Sequence, residues 1–338
     1  MIIACAVLLL ALGLSGCTSP TPTPEPANNT TAITIVDSTG KALELPGVAD
    51  RIIVTNSDSA EVLIALGAID RIVGVPNNVK SNPNLAGYFN DTPSIGEWSS
   101  PNMESIIALK PDVVIAYASS KPKNMDSFDQ AGIPVLLLDC YKMDNMTSDI
   151  RKMGVLTGKQ ARAEEYAGFM EPQIALVTQR IANLTDDQKP SVFWETNMYK
   201  LATVINGSGG DTLIRMAGGK NIATDLLKGD ISNEWVIDQN PDIVIKVGLN
   251  YATAANMTET RNAIMNRTGM PLVKAVKDGK VYVMSSTLTF GPKGFIGLLY
   301  LANILHPDLF SDVDPASILE EYDQRFVPGS KNGNFVVP

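Results

Sequence analysis

One 14-residue pattern occurs twice, 130 residues apart: N-M-E-S-I-I-A-L-K-P-D-V-V-I from Asn102 to Ile115 and S-N-E-W-V-I-D-Q-N-P-D-I-V-I from Ser232 to Ile245. In each copy a glutamate, Glu104 or Glu234, opens a short helical pattern, Pro-Asp follows, and an all-apolar β-branched run comes next. Pro111 and Pro241 disfavour helix in the residue before them, so V-V-I and I-V-I read as parallel strands covered on both faces. Each copy is a helix-turn-strand unit of an α/β lobe. Two such lobes with a cleft between them suit a binding protein or a two-domain enzyme.

The chain has room for both lobes. At 338 residues with 45% apolar content it can bury two ordinary cores. Its net charge is −9 and its Lys and Arg residues are scattered, so no basic stripe would neutralise phosphates and nucleic acid is not an expected partner.

Residues 1–17 read as a lipoprotein signal peptide. An apolar stretch too short to span a bilayer ends in L-S-G-C, which makes Cys17 the acylated first residue of the mature chain. No Lys or Arg precedes the apolar stretch, which a misassigned start codon would explain. The Pro/Thr-rich residues 18–32 follow as a partly extended stalk. The expected location is therefore extracytoplasmic, lipid-anchored to the outer face of the cell membrane. Cys5 leaves with the signal and Cys17 is lipidated, so Cys140 alone remains and no intramolecular disulfide forms. Eight N-x-S/T sequons would be glycosylation acceptors on such a surface.

Alternating strands and helices at regular spacing predict a parallel sheet in an N-terminal lobe, residues 33–156. Its strands are two short ones in I-T-I-V-D-S-T-G-K-A-L-E-L-P around a Thr-Gly turn, then R-I-I-V-T-N, R-I-V-G-V, V-V-I-A-Y and V-L-L-L. Asp58 with Glu61 reads as a capping box for the helix ending at Gly67. Apolar residues recurring from Tyr166 to Ile181 predict one long helix over 159–184, within a connector at 157–186 and bent at Pro172. The C-terminal lobe, 187–330, begins with S-V-F-W-E. Asp211 is the expected cap of its first helix, and the lobe ends with helices from Phe295 and from Pro315 to Phe326. Residues 331–338 form a tail, expected to be loose.

Motifs for catalysis are missing. The glycines from Gly207 to Gly219 match neither a dinucleotide nor a phosphate-loop spacing, there is no G-x-S-x-G elbow, and the single histidine, His306, sits at a helix end. An acid/base pair among 36 carboxylates stays open.

The segments R-I-I-V-T-N-S-D-S-A-E-V-L-I-A-L-G-A-I-D-R-I-V-G-V, I-G-E-W-S-S-P-N-M-E-S-I-I-A-L-K-P-D-V-V-I-A-Y, A-G-G-K-N-I and L-V-K-A-V-K-D-G-K-V-Y-V-M, with the second Glu-to-Pro-Asp unit, resemble the substrate-binding proteins of ATP-driven importers for iron-siderophores, haem and cobalamin. The resemblance covers residues 33 to about 326. It implies two Rossmann-like α/β lobes with parallel sheets joined by one long α-helix, in a monomer that delivers a ligand to an ABC permease and its ATPase. It also implies that Glu104 and Glu234, one per lobe, dock on arginines of the permease. Each lies in a first helical turn, where the helix dipole favours an acid.

Ligand contacts are expected at the carboxyl ends of strands: Ser57, Asp58, Trp98, Tyr117, Trp194, Glu195, Tyr251 and the segment Thr287 to Lys293, including Thr289 and Lys293. For each aromatic the alternative is core packing; for Lys293 it is a solvated surface lysine. With one histidine, bare zinc or manganese lacks its usual imidazoles. A metal chelate is the expected small-molecule ligand, ferric siderophore ahead of corrinoid, with haem next, and no resident cofactor or metal is called for. The competing readings are a surface-anchored enzyme on a related two-lobe scaffold and a surface glycoprotein without a small-molecule ligand.

Overall fold

The computed structural model describes residues 31–196, 201–248, 253–328 and 336–338. Cys17, the signal peptide and nearly all the stalk lie outside them, as does Tyr251.

Strands β1 (Ile33–Val36) and β2 (Ala42–Leu45) form an antiparallel hairpin. Next come β3 (Ile52–Val54), β4 (Ile72–Gly74), the short antiparallel pair β5 (Gly96–Glu97) and β6 (Ser100–Pro101), β7 (Val113–Tyr117) and β8 (Val135–Leu138). The first lobe's sheet runs β4-β3-β7-β8, all parallel. In the second lobe β9 (Ser191–Glu195), β10 (Lys220–Asn221), β11 (Ile243–Gly248) and β12 (Val281–Ser285) repeat that order as β10-β9-β11-β12, again parallel. The expected loose tail instead adds β13 (Val336–Val337) antiparallel to the open edge of β12. Two valines satisfy ladder groups that would otherwise stay unpaired.

The duplicated pattern occupies the same place in both lobes. Its helices are Met103–Leu109 and Asn233–Gln239, capped by the side chains of Asn102 and Ser232, which accept the amides of Ser105 and Trp235. Both end in a left-handed residue, Lys110 at φ 47° and Asn240 at φ 46°, the non-glycine residues with positive φ among those described. The aspartate after each proline then ties the central strand to its neighbour. Asp112 Oδ2 accepts the amides of Asp50 and Arg51, both at 2.8 Å, and Asp242 Oδ2 accepts that of Ser191 at 2.8 Å.

The connecting helix is Gln160–Ile181, 22 residues including Pro172, or about 33 Å long. A continuous apolar core runs from the first lobe across this helix into the second, through Ile150, Tyr166, Met170, Val177, Leu298 and Leu301. The last helix, Pro315–Phe326, does not stay with its own lobe. Phe326 stacks on Tyr166 of the connecting helix with centroids 4.7 Å apart, and the Tyr322 hydroxyl lies 2.6 Å from that of Tyr166 and donates to Glu61 of the first lobe at 3.0 Å.

Two predicted caps are displaced. Asn56, not Asp58, caps helix Ser57–Ala65 by accepting the Ser59 amide, and Ser208, not Asp211, caps helix Gly209–Met216. In both places two cap-competent side chains lie close together, and the earlier one has the extended backbone that a cap requires. Asp58 is thereby released from capping and free to face the cleft.

Candidate functional site

A cavity of about 430 Å³ opens between the carboxyl ends of the two sheets, within the range of sites for drug-sized ligands. The first lobe supplies most of its wall. Ser57, Asp58 and Glu61 come from the helix after β3, Asn82 and Asn84 from the turns after β4, and Trp98 from the β5–β6 turn. Tyr117 ends β7 and Ser120 follows it, and Tyr141 follows β8. The second lobe closes the opposite side with Ser286, Thr287 and Phe290 after β12.

That opposite wall is placed by two glycines. A Cβ on Gly297 would stand 1.8 Å from the Leu288 carbonyl oxygen, so only glycine lets helix Gly294–Leu305 lie against the turn that carries Thr287 and Phe290. Gly291, at φ 87°, passes so near the first lobe that a Cβ there would stand 2.9 Å from Asp58 Oδ1. The lobes therefore meet at Asp58.

Three rings form an open box on the first lobe. Tyr117 stands edge-on to Trp98, centroids 6.2 Å apart at 81°, and edge-on to Tyr141, 5.4 Å apart at 88°. The Tyr117 hydroxyl donates to Asp58 Oδ2 at 2.5 Å. Asp139, buried behind the box, holds the turn after β7 by accepting the amides of Ala118 and Ser119 and the Ser119 hydroxyl, which lies 2.8 Å from that of Tyr141. Asp149 fixes Asp139 in turn, accepting its amide at 2.8 Å.

Burial pushes the Asp58 carboxyl up to about 6; the Tyr117 hydrogen bond opposes this, while the charges of Glu61 and Asp139 add to it. Burial likewise raises Glu61, against the pull of the Lys293 charge and the Tyr322 hydrogen bond. Tyr117 is raised by burial and then by the Asp58 charge, so its phenol stays protonated. Among the described residues no Lys, Arg or His lines the cavity.

Ser57, Asp58, Trp98 and Tyr117 are thus brought together as expected from the sequence, with Thr287 and Phe290 of the segment Thr287 to Lys293. Four other candidates are not. Trp194 is fully buried beneath the sheet. Glu195 is buried in a double ion pair with Lys246 at 3.1 Å and Arg267 at 2.9 Å. Thr289 is buried and donates to the Ser286 carbonyl. Lys293 is neither solvated nor aimed at a ligand, being buried against Asp323 at 2.6 Å. Trp194 and Glu195 still lie within β9, where side chains point into the core, and Thr289 turns inward at the end of the short helix Ser286–Thr289, between Thr287 and Phe290 on the cavity wall. Tyr141 was missed, although its place after V-L-L-L obeys the same rule. Glu61 reads in the sequence only as part of a cap, and Asn82, Asn84, Ser120 and Ser286 carry no sequence signal beyond their turns.

Glu104 and Glu234 are both exposed in the first turns of their helices. A bond to its own backbone amide, with one from Ser232, holds the Glu234 carboxyl below its ordinary value. His306 is buried with Nε2 3.1 Å from the Gly218 carbonyl oxygen, a structural position away from the cavity. No helix among the described residues is long and apolar enough to cross a membrane.

Comparison with known proteins agrees with this arrangement. The chain is 26% identical over 322 residues to the uncharacterized ABC transporter substrate-binding lipoprotein YvrC of Bacillus subtilis, covering 91% of this chain and 97% of that one. It is 23% identical to the molybdate-binding protein MolA of Haemophilus influenzae, covering 86% and 90%. To a cobalamin-binding protein of Halobacterium salinarum it is 26% identical, covering 79% and 74%. Among solved structures, the TroA-like periplasmic binding protein FepB of Veillonella parvula superposes with a TM-score of 0.78 at 25% identity, over 90% of this chain and 99% of that one. The family model described as periplasmic binding protein matches residues 52–288. The chain belongs to the periplasmic binding protein family and is a substrate-binding protein of the ABC-importer class.

Proposed function

We propose that this protein captures a metal chelate outside the cytoplasm, a ferric siderophore or a corrinoid, and delivers it to an ABC permease and its ATPase while anchored to the membrane through a lipid on Cys17. The observation that carries the ligand reading is the cleft wall. Flat rings on one lobe face hydroxyls on the other, which suits the organic periphery of a chelate, and the wall carries no imidazole to grip a bare transition metal. An oxyanion such as molybdate is disfavoured, because Asp58 and Glu61 on the cavity wall repel it. Haem is disfavoured on two grounds. A tyrosine axial ligand works as phenolate, whereas Tyr117 is held protonated against Asp58, and the haem propionates would meet the same two acids.

Titration of the purified protein with ferric siderophores, cobalamin, haemin and molybdate, followed by quenching of tryptophan fluorescence, tests the ligand. Saturable one-to-one binding of a siderophore or corrinoid is expected, and binding of molybdate alone, or of none, refutes the proposal. For the anchor, Cys17→Ala should release the protein from the membrane fraction. The first relative above is itself described as a lipoprotein.

A further inference from the structure

The aromatic box and the acid beneath it point to the charge of the ligand. Trp98, Tyr117 and Tyr141 present ring faces and edges around a space floored by Asp58, with Glu61 one turn further along the same helix. Perpendicular rings around a carboxylate are what an organic cation needs: ring faces attract it within about 6 Å of their centroids, and the carboxylate completes the neutralisation. A cation already sits against this box from outside. Lys142 Nζ lies 5.9 Å from the Tyr141 centroid and is paired with Asp139 at 3.1 Å, which leaves Asp58 uncompensated on the cavity side. Across the cleft Thr287 Oγ1 is shielded from solvent and has no hydrogen-bond partner, an orphan polar atom on the cavity wall that a ligand atom would satisfy.

We propose that the chelate presents a positively charged group, an ammonium or amidinium, to Asp58 within the Trp98–Tyr117–Tyr141 box, so that the protein selects chelates of positive or zero net charge over anionic ones. This rests on the chelate reading given above and sharpens it. Asp58 is then the residue that determines specificity, and Thr287 a contact from the facing lobe.

The test uses two matched charge series, measured by fluorescence titration at pH 7.5 on the full mature chain. One is a ferric trihydroxamate with a free primary amine, its N-acetyl form and its N-succinyl form, with net charges of plus one, zero and minus one. The other is the aminoethylamide of a cyanocobalamin monocarboxylate, cyanocobalamin itself and the monocarboxylate, spanning the same charges. In whichever series binds, affinity should fall at least tenfold from the cationic to the neutral form and again to the anionic one. In Asp58→Asn the ratio between cationic and anionic forms should collapse towards one, while Thr287→Val should weaken all three forms in parallel. Equal affinities, or tightest binding of the anionic form, overturn the charge inference and leave the chelate reading standing. The same order persisting in Asp58→Asn assigns the preference to the overall negative field of the protein and overturns the role of Asp58. Binding of neither series overturns this inference, and the chelate reading falls with it if the wider ligand titration described above also finds no chelate.

Discussion

Asp58 should cost the empty protein stability, and the cost can be worked out. Its carboxyl is pushed up to about 6 in the fold, whereas in the unfolded chain an aspartate ionises near 4. Between those values the folded protein still holds a proton that the unfolded chain has released, so stability falls as pH rises through this window and remains lower above it. Two decades at about 1.4 kcal/mol each make the loss at most about 3 kcal/mol at pH 8. Asp58→Asn keeps an oxygen to accept the Tyr117 hydroxyl and carries no charge to bury. In urea unfolding of the ligand-free protein, the variant should be more stable than the parent by about 2 to 3 kcal/mol at pH 8, with about 2 kcal/mol of that advantage gone at pH 4.5. Glu61, Asp139 and the other titrating groups are common to both proteins, so the difference between the two pH values reports position 58 together with its coupling to those two acids. An unchanged or lower stability at pH 8, or an advantage that does not shrink on acidification, would refute the reasoning. A gain in stability accompanied by lost binding is the trade expected where a charge is kept buried for function.

Three further outcomes are expected. Lys293→Met removes the ion pair that neutralises Asp323 in the core and should cost roughly 3–5 kcal/mol in urea unfolding, whereas Lys293→Met with Asp323→Leu should recover most of the loss. Lys110→Gly relieves a left-handed lysine and should stabilise by up to about 1 kcal/mol; Asn240→Gly should not, because the Asn240 side chain also accepts the Lys274 amide at 2.8 Å. Charge reversal at both Glu104 and Glu234 should abolish uptake and stimulation of the permease-bound ATPase with ligand affinity unchanged, and loss of affinity would move these residues into the pocket.

Much of the architecture could be read from the chain because its signals are local. The paired Pro-Asp units, the strand runs V-V-I-A-Y and S-V-F-W-E, the long connecting helix and the helix Pro315–Phe326 all follow from periodicity and turn residues that act within a few positions. The site was only half legible. Strand-end position brought out Asp58, Trp98 and Tyr117, but how deep a residue sits depends on what packs over it. Nothing near Trp194 or Glu195 in sequence announces the Lys246 and Arg267 charges or the helix that cover them. The pairing of Lys293 with Asp323 joins residues 30 apart, and the choice between Asn56 and Asp58 as cap turns on one backbone angle. Such features are settled by tertiary packing, which periodicity does not encode.

The return of the last helix to the first lobe has a mechanical consequence. With Tyr322 latched to Glu61 and Phe326 stacked on Tyr166, the two jaws are braced against each other, so wide gaping would tear aromatic packing apart. A clamp of this stiffness is shaped before its cargo arrives and loses little freedom on loading. The loaded and empty forms should then differ by a slight change in the spacing of the lobes rather than by a large swing.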